Sequence, residues 1–87
     1  MARVRIAPLL HSYTGGQAEV SAPGTTLAEV LTELDRRFPG LRFRIVDEQG
    51  QIRPHIWTFV AGRLTRNPNE AVAAIDEVQI VGALSGG

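Results

Sequence analysis

The sequence contains no cysteine. A disulfide framework and a thiolate metal site are both excluded, and the compartment is left open, with the cytoplasm as the default. Lysine is missing as well: all nine basic residues are arginine, a bias that a GC-rich genome would produce. Without an ε-amine the chain cannot be built into isopeptide-linked chains of itself, so any use as a modifier would be by single attachment. Charge of one sign is lacking too. Nine arginines face nine acidic residues, and no general field draws the protein to nucleic acid or to an anionic membrane. No apolar run is long enough to span a bilayer, and Met1-Ala2-Arg3-Val4-Arg5-Ile6 alternates at once instead of forming the apolar core of a signal peptide. Export is not expected, and the expected location is cytoplasmic.

What is there suits one small folded unit. The chain has 87 residues, 44% of them hydrophobic, and no long polar tract. A domain of this size buries about 60–65% of the surface its unfolded chain exposes, which leaves room for one core and no deep cleft. An enzyme acting alone is therefore not expected.

Residues 3–9 alternate as a half-buried strand, Val4 and Ile6 inward and Arg3 and Arg5 outward, until Pro8 restricts it. Thr14-Gly15-Gly16-Gln17 reads as a turn, followed by a strand over 17–21 with Ala18 and Val20 inward, and Ala22-Pro23-Gly24 breaks that pattern. Thr26-Leu27-Ala28-Glu29 has the spacing of a capping box and opens a helix. Its apolar face is Leu27, Val30, Leu31, Leu34 and Phe38, with Glu33 and Arg37 paired four apart on the wet side, and Pro39-Gly40 stops it. Residues 41–47 are open between a helical turn and an irregular crossover, and Asp47-Glu48-Gln49-Gly50 is a turn.

Residues 56–60 form the most strand-like run, with Ile56, Thr58 and Val60 on one face and Trp57 and Phe59 on the other. One face must cover the helix, and the other offers bulky apolar side chains to a partner unless the connection over 41–54 covers it. Ala61-Gly62 turns the chain, Arg63-Leu64-Thr65 is a short edge strand, and a helical turn is expected around residues 70–74. The last strand, 77–82, points Val78 and Ile80 to the core and Gln79 and Val81 to the other side. This order predicts an α+β domain over 1–82, a mixed sheet of four to five strands with one main helix across it and the first strand parallel to the last: the β-grasp arrangement. A flexible tail over 83–87 is expected to follow.

That tail, Ala83-Leu84-Ser85-Gly86-Gly87, carries the chemical signal. Two glycines without side chains can thread a narrow channel and leave the terminal carboxylate open to attack. At a glycine usage near 7%, chance yields such an ending in roughly 0.5% of chains, so the ending asks for support from the domain before it. The other constellations offer less. His11 and His55 lie in unrelated segments without other ligands, which speaks against a metal site. Ser12, Ser21 and Ser85 lack the surroundings of a nucleophile elbow, and Gly15-Gly16 lacks the lysine of a phosphate loop. Arg42, Arg44, Arg53, Arg63 and Arg66, beside Trp57 and Phe59, make a solvated rim or a docking surface for an acidic partner rather than a nucleic-acid face.

Several pieces together resemble the ubiquitin-like sulfur carriers that include the molybdopterin synthase small subunit and the thiamine-pathway carrier. They are the first strand ending at Pro8-Leu9-Leu10, the turn Tyr13-Thr14-Gly15-Gly16-Gln17, the capped helix from Thr26-Leu27, and Arg53-Pro54-His55-Ile56 leading to Phe59-Val60-Ala61-Gly62. Asp76-Glu77-Val78 before the Gly-Gly end completes the set. The turn at Thr14-Gly15-Gly16-Gln17 is nearest to the carriers that feed cysteine biosynthesis. Departures fall at Ala61, where the family often has Asn, at Ile75, where it has Gly, and at Gly82, where it has Pro.

The resemblance implies a protein substrate with no catalytic residues, bound cofactor or metal of its own. A ubiquitin-activating-type adenylyltransferase, using ATP and Mg2+, would draw Ala83, Leu84, Ser85 and Gly86 into its site and adenylate Gly87. A sulfur donor would then leave a thiocarboxylate for an acceptor synthase, such as the molybdopterin synthase large subunit or an enzyme of the cysteine synthase type. Trp57, Phe59, Val81, Arg53 and Arg63 are the candidate partner face. The alternatives are a ubiquitin-like modifier joined through Gly87 to target lysines, and a non-covalent β-grasp binding module.

Overall fold

The computed structural model describes residues 1–82. The sheet is built around β5 (Glu77–Gly82), which runs parallel to β1 (Ala2–Ile6) on one side and antiparallel to β3 (Ile56–Val60) on the other. β2 (Glu19–Ala22) and β4 (Arg63–Thr65) are the edges, giving the order β2-β1-β5-β3-β4. Alternation decides the faces. Val4, Ile6, Val20, Ile56, Val60, Val78 and Ile80 point to one side and are buried there with Leu27, Val30, Leu31 and Leu34 of α1 (Leu27–Arg37). The mixed five-stranded sheet with a helix across it is the expected β-grasp arrangement.

The first strand ends earlier than its alternation suggested, because Pro8 opens a 3-10 helix over Pro8–Tyr13. The second starts later. Pairing begins at Glu19 opposite Arg5, so Ala18 gives its carbonyl to the Ile6 N–H but leaves its side chain exposed, while Val20 and Ala22 are the inward pair. Residues 41–47 resolve into a short helix, α2 (Leu41–Ile45), whose Leu41 and Ile45 enter the core one turn apart. No helical turn forms at 70–74. That segment is extended, bridging Thr26 to Ala71, with the carbonyls of Pro68 and Glu70 accepting from the N–H groups of Ala28 and Leu27 and with Val72 buried. The first turn of α1 thus takes its acceptors from the loop, and the Glu70 carbonyl that a helical turn at 70–74 would use is given to Leu27 instead.

The helix cap is a shifted capping box. Thr26 Oγ1 accepts from the Glu29 N–H at 3.2 Å, as the spacing predicts, but the Glu29 carboxylate reaches back to the N–H and hydroxyl of Thr25 at 2.7 and 2.8 Å. Gly24 allows this path: its φ is +143°, and a β-carbon there would lie 2.8 Å from the Val30 nitrogen. On the wet side Glu33 pairs with Arg36 at 3.1 Å, not with Arg37, which donates to the Ser21 carbonyl and lies over the Phe38 ring.

Hydrogen bonds from the backbone and hydroxyl of Thr25 hold the Glu29 carboxyl below its ordinary value, and the Gln51 and Gln49 N–H groups with the Arg53 charge do the same for Asp47. Depressed carboxyl values stabilise the fold above the unfolded value, about 4, and that contribution is lost as the pH falls through the folded value. Glu29→Gln is expected to melt below the parent protein at pH 7, with the gap closing as the pH drops under about 4. Melting curves across that range check it, and a gap that does not narrow would show that the carboxylate charge is not the cause.

Candidate functional site

The sheet face turned away from α1 is divided. In register across five strands lie Glu19, Arg5, Gln79, Phe59 and Leu64, with Arg3 beside Glu77 and Trp57 opposite Val81. The β2-β1 side is charged, Arg3 standing 3.8 Å from both Glu19 and Glu77. The β5-β3-β4 side is apolar. Trp57 is 47% exposed, Val81 43% and Leu64 54%, with Phe59 half-buried between them. The alternation of β3 is therefore settled: Ile56, Thr58 and Val60 face α1. The connection over 41–54 sends Leu41, Ile45, Val46 and Ile52 into the core and does not cover Trp57. Large apolar side chains kept in water side by side make this half of the sheet a candidate partner surface.

Of the residues expected on this face, Trp57, Phe59 and Val81 are brought together. Arg63 is not, because it stands opposite Val60, on the α1 side of the edge, 3.7 Å from Glu70. Leu64 takes the place expected for it. The two-residue turn Ala61-Gly62 fixes that register, since Val60 opposite Arg63 forces Phe59 opposite Leu64, so the hairpin spacing carried the signal. Arg53 lies just before β3, off the sheet. Its Nε donates to the Phe43 carbonyl at 2.8 Å and its guanidinium lies 4.6 Å from the Phe43 ring centre. Arg66 belongs to the scaffold: its two Nη atoms donate to the carbonyls of Ile56, Ile52 and Arg53 at 2.9–3.1 Å, joining β3 to the crossover.

β5 stays paired as far as Gly82, which lies opposite Ile56. The Ala7 N–H donates to the Ile80 carbonyl at 2.9 Å, so the start of the 3-10 helix closes over the end of β5. Leu9 completes the closure. A β-carbon at residue 82 would overlap the end of the Leu9 side chain, so Gly82 lets Leu9 lie directly on the strand, and a larger residue there would turn that partly exposed side chain aside. Ala83, Leu84, Ser85, Gly86 and Gly87, the expected reactive tail, lie outside the described residues.

The two histidines lie in separate segments, His11 in the 3-10 helix and His55 just before β3. His11 Nε2 donates to the Ile6 carbonyl at 2.8 Å, and among the described residues no three His, Asp or Glu side chains gather. No helix among them is long and apolar enough to cross a membrane.

A ubiquitin-like β-grasp fold with an apolar sheet face beside the root of its C-terminal strand defines the general class. The chain matches the ThiS family over residues 4–87 and belongs to that family. It is 33% identical to the sulfur carrier protein CysO of Mycobacterium tuberculosis over 89 residues, covering 97% of this chain and 96% of that protein. The crystal structure of Mycobacterium tuberculosis CysO superposes with a TM-score of 0.91 at 30% identity, over 97% of this chain and 100% of that one. A chain of the BexX/CysO complex of Amycolatopsis orientalis gives 0.93 at 28% identity, over the whole of both chains. SAMP1 of Haloferax volcanii gives 0.78 at 26% identity, covering 99% of this chain and 98% of that one.

The exposed face makes a contrast measurable. Ile56→Ala, in the core, is expected to cost about 2–5 kcal/mol of stability, and Trp57→Ala, one residue on, less than about 1 kcal/mol. Urea unfolding of both variants checks this, and an equal loss at residue 57 would make Trp57 a packing residue.

Proposed function

We propose that the protein is a sulfur carrier whose Gly87 carboxylate is adenylated by a ubiquitin-activating-type enzyme and then converted to a thiocarboxylate. The supporting observation is the apolar patch of Trp57 and Phe59 on β3, Leu64 on β4 and Val81 on β5, the last of these being the strand that precedes the Gly86-Gly87 end in sequence. The likeness to CysO, a sulfur carrier protein, supports the same reading, and the BexX/CysO complex shows a relative held by a protein partner.

The chemistry follows from what a carboxylate lacks. It is a poor electrophile until an oxygen carries a good leaving group. The Gly87 carboxylate attacks the α-phosphorus of ATP and expels pyrophosphate, with Mg2+ held by the partner enzyme. Hydrosulfide from a sulfur donor then adds to the acyl carbon, expels AMP and loses its proton, leaving the thiocarboxylate. The thiocarboxylate is a nucleophile near neutral pH, ready for an acceptor synthase, and the CysO likeness favours one that makes cysteine over the molybdopterin synthase large subunit. Docking through the folded body offsets the entropy lost when the tail is ordered in the enzyme.

A second reading, a modifier attached through Gly87 to target lysines, draws on the likeness to SAMP1, a small archaeal modifier protein. Both readings need an activated Gly87. Intact mass after incubation with ATP, Mg2+, a sulfide source and the adenylating enzyme of the same organism tests the first. A gain equal to replacing one oxygen by sulfur, located on Gly87 and absent when one residue is added after it, is the expected result. No gain with an enzyme active on another carrier would overturn it, and conjugates to lysine in place of that gain would favour the modifier.

A further inference from the structure

A second surface lies next to the root of the tail, on the crossover that precedes β3. Phe43, Arg44, Arg53 and His55 line an open cleft of 210 Å3. Its position follows from the strand pairing: Ile56, the residue after His55, is the partner of Gly82 at the end of β5. The cleft therefore borders the end of β5, the last described residue of which is Gly82.

The cleft is cationic and already arranged. Arg53 is fixed by three contacts, its N–H on the Ile45 carbonyl at 2.9 Å, its Nε on the Phe43 carbonyl, and its guanidinium over the Phe43 ring. Its two Nη atoms have no hydrogen-bond partner among the described residues, so the outer edge of the guanidinium keeps its donors. Arg44 is exposed and has a single contact of this kind, 5.6 Å from the centre of the Tyr13 ring. Neither arginine has a carboxylate within 4.0 Å among the described residues, whereas Arg3, Arg36 and Arg63 each do. The Asp47 carboxylate feels the Arg53 charge from beyond ion-pair distance, and it is itself engaged by the N–H groups of Gln49 and Gln51 at 2.9 and 3.0 Å. Phe43 adds apolar surface, being 53% exposed.

Cations fixed by stacking rather than by ion pairs lose little freedom when a carboxylate arrives, and the guanidinium edge fits one with two parallel hydrogen bonds. We infer that this cleft docks an acidic segment of the adenylating enzyme, its carboxylates on Arg44 and Arg53 and an apolar side chain against Phe43. The inference rests on the carrier reading above and adds a charged contact to the apolar one. The two surfaces are continuous in sequence, since Arg53 and His55 lead directly to Trp57.

The test is ATP–pyrophosphate exchange by the adenylating enzyme of the same organism, with the full-length carrier as the varied substrate. Arg44→Glu is the main variant because that side chain makes no hydrogen bond to the fold among the described residues. Arg53→Glu is the second, and Arg36→Glu, on the exposed side of α1, carries the same charge change away from the cleft. The two cleft variants are expected to raise KM about tenfold with kcat unchanged and to flatten its dependence on salt, and Arg36→Glu to leave both as in the parent. Melting curves confirm that each variant is folded. If folded Arg44→Glu keeps the parental KM and salt dependence, or if Arg36→Glu raises KM equally, the cleft is not a docking site although the carrier reading stands. If the parent protein itself supports no exchange with an enzyme active on another carrier, both readings fail together.

Discussion

The parallel pairing of β1 with β5 is the constraint on which the rest of the molecule depends. It puts the first and last strands side by side in the middle of the sheet, with Val4 beside Val78 and Ile6 beside Ile80, all buried. Parallel neighbours need a long crossover, and everything between them supplies it: a hairpin edge, α1 across one face, and the return through β3 and β4. α1 must then cover a sheet whose inward side chains are set by strand alternation. This is why one stripe of leucine and valine suffices for the core.

The same arrangement decides where function can lie. With one face of the sheet under α1, the other is free, and its halves differ in chemistry because β1 carries arginines outward where β3 carries Trp57 and Phe59. β5 serves both halves, offering Glu77 to the charged one and Val81 to the apolar one. A partner that settles on the apolar half has the end of β5 beneath it and the Arg53 cleft at its border. Recognition is then a matter of where surfaces lie relative to the last strand.

Much of this was legible in the sequence because it is periodic. The α1 stripe, the alternation of β5 and the two faces of β3 are local patterns with one geometric meaning each. Choosing which β3 face is inward needed the fold, because Ile56 and Trp57 are both apolar and only the path of residues 41–54 decides between them. The misread segments failed for a shared reason. Residues 70–74 look helical alone, but α1 needs the carbonyls of Pro68 and Glu70, and that demand is tertiary. The arginines were the least legible. Arg63, Arg53 and Arg66 look equivalent in sequence, yet one meets Glu70, one stacks on Phe43 and one staples three carbonyls. A long side chain with a delocalised charge has many possible destinations, and nothing local selects among them.

The central place of β5 also has a mechanical meaning. A pull along the chain beyond Gly82 acts in line with the strand, so the hydrogen bonds to β1 and β3 are loaded in shear, many at once. They are not unzipped one by one, as those of an edge strand peeled sideways would be. An enzyme that grips the end of this chain can draw on it firmly and still have a folded domain at the other end of the line.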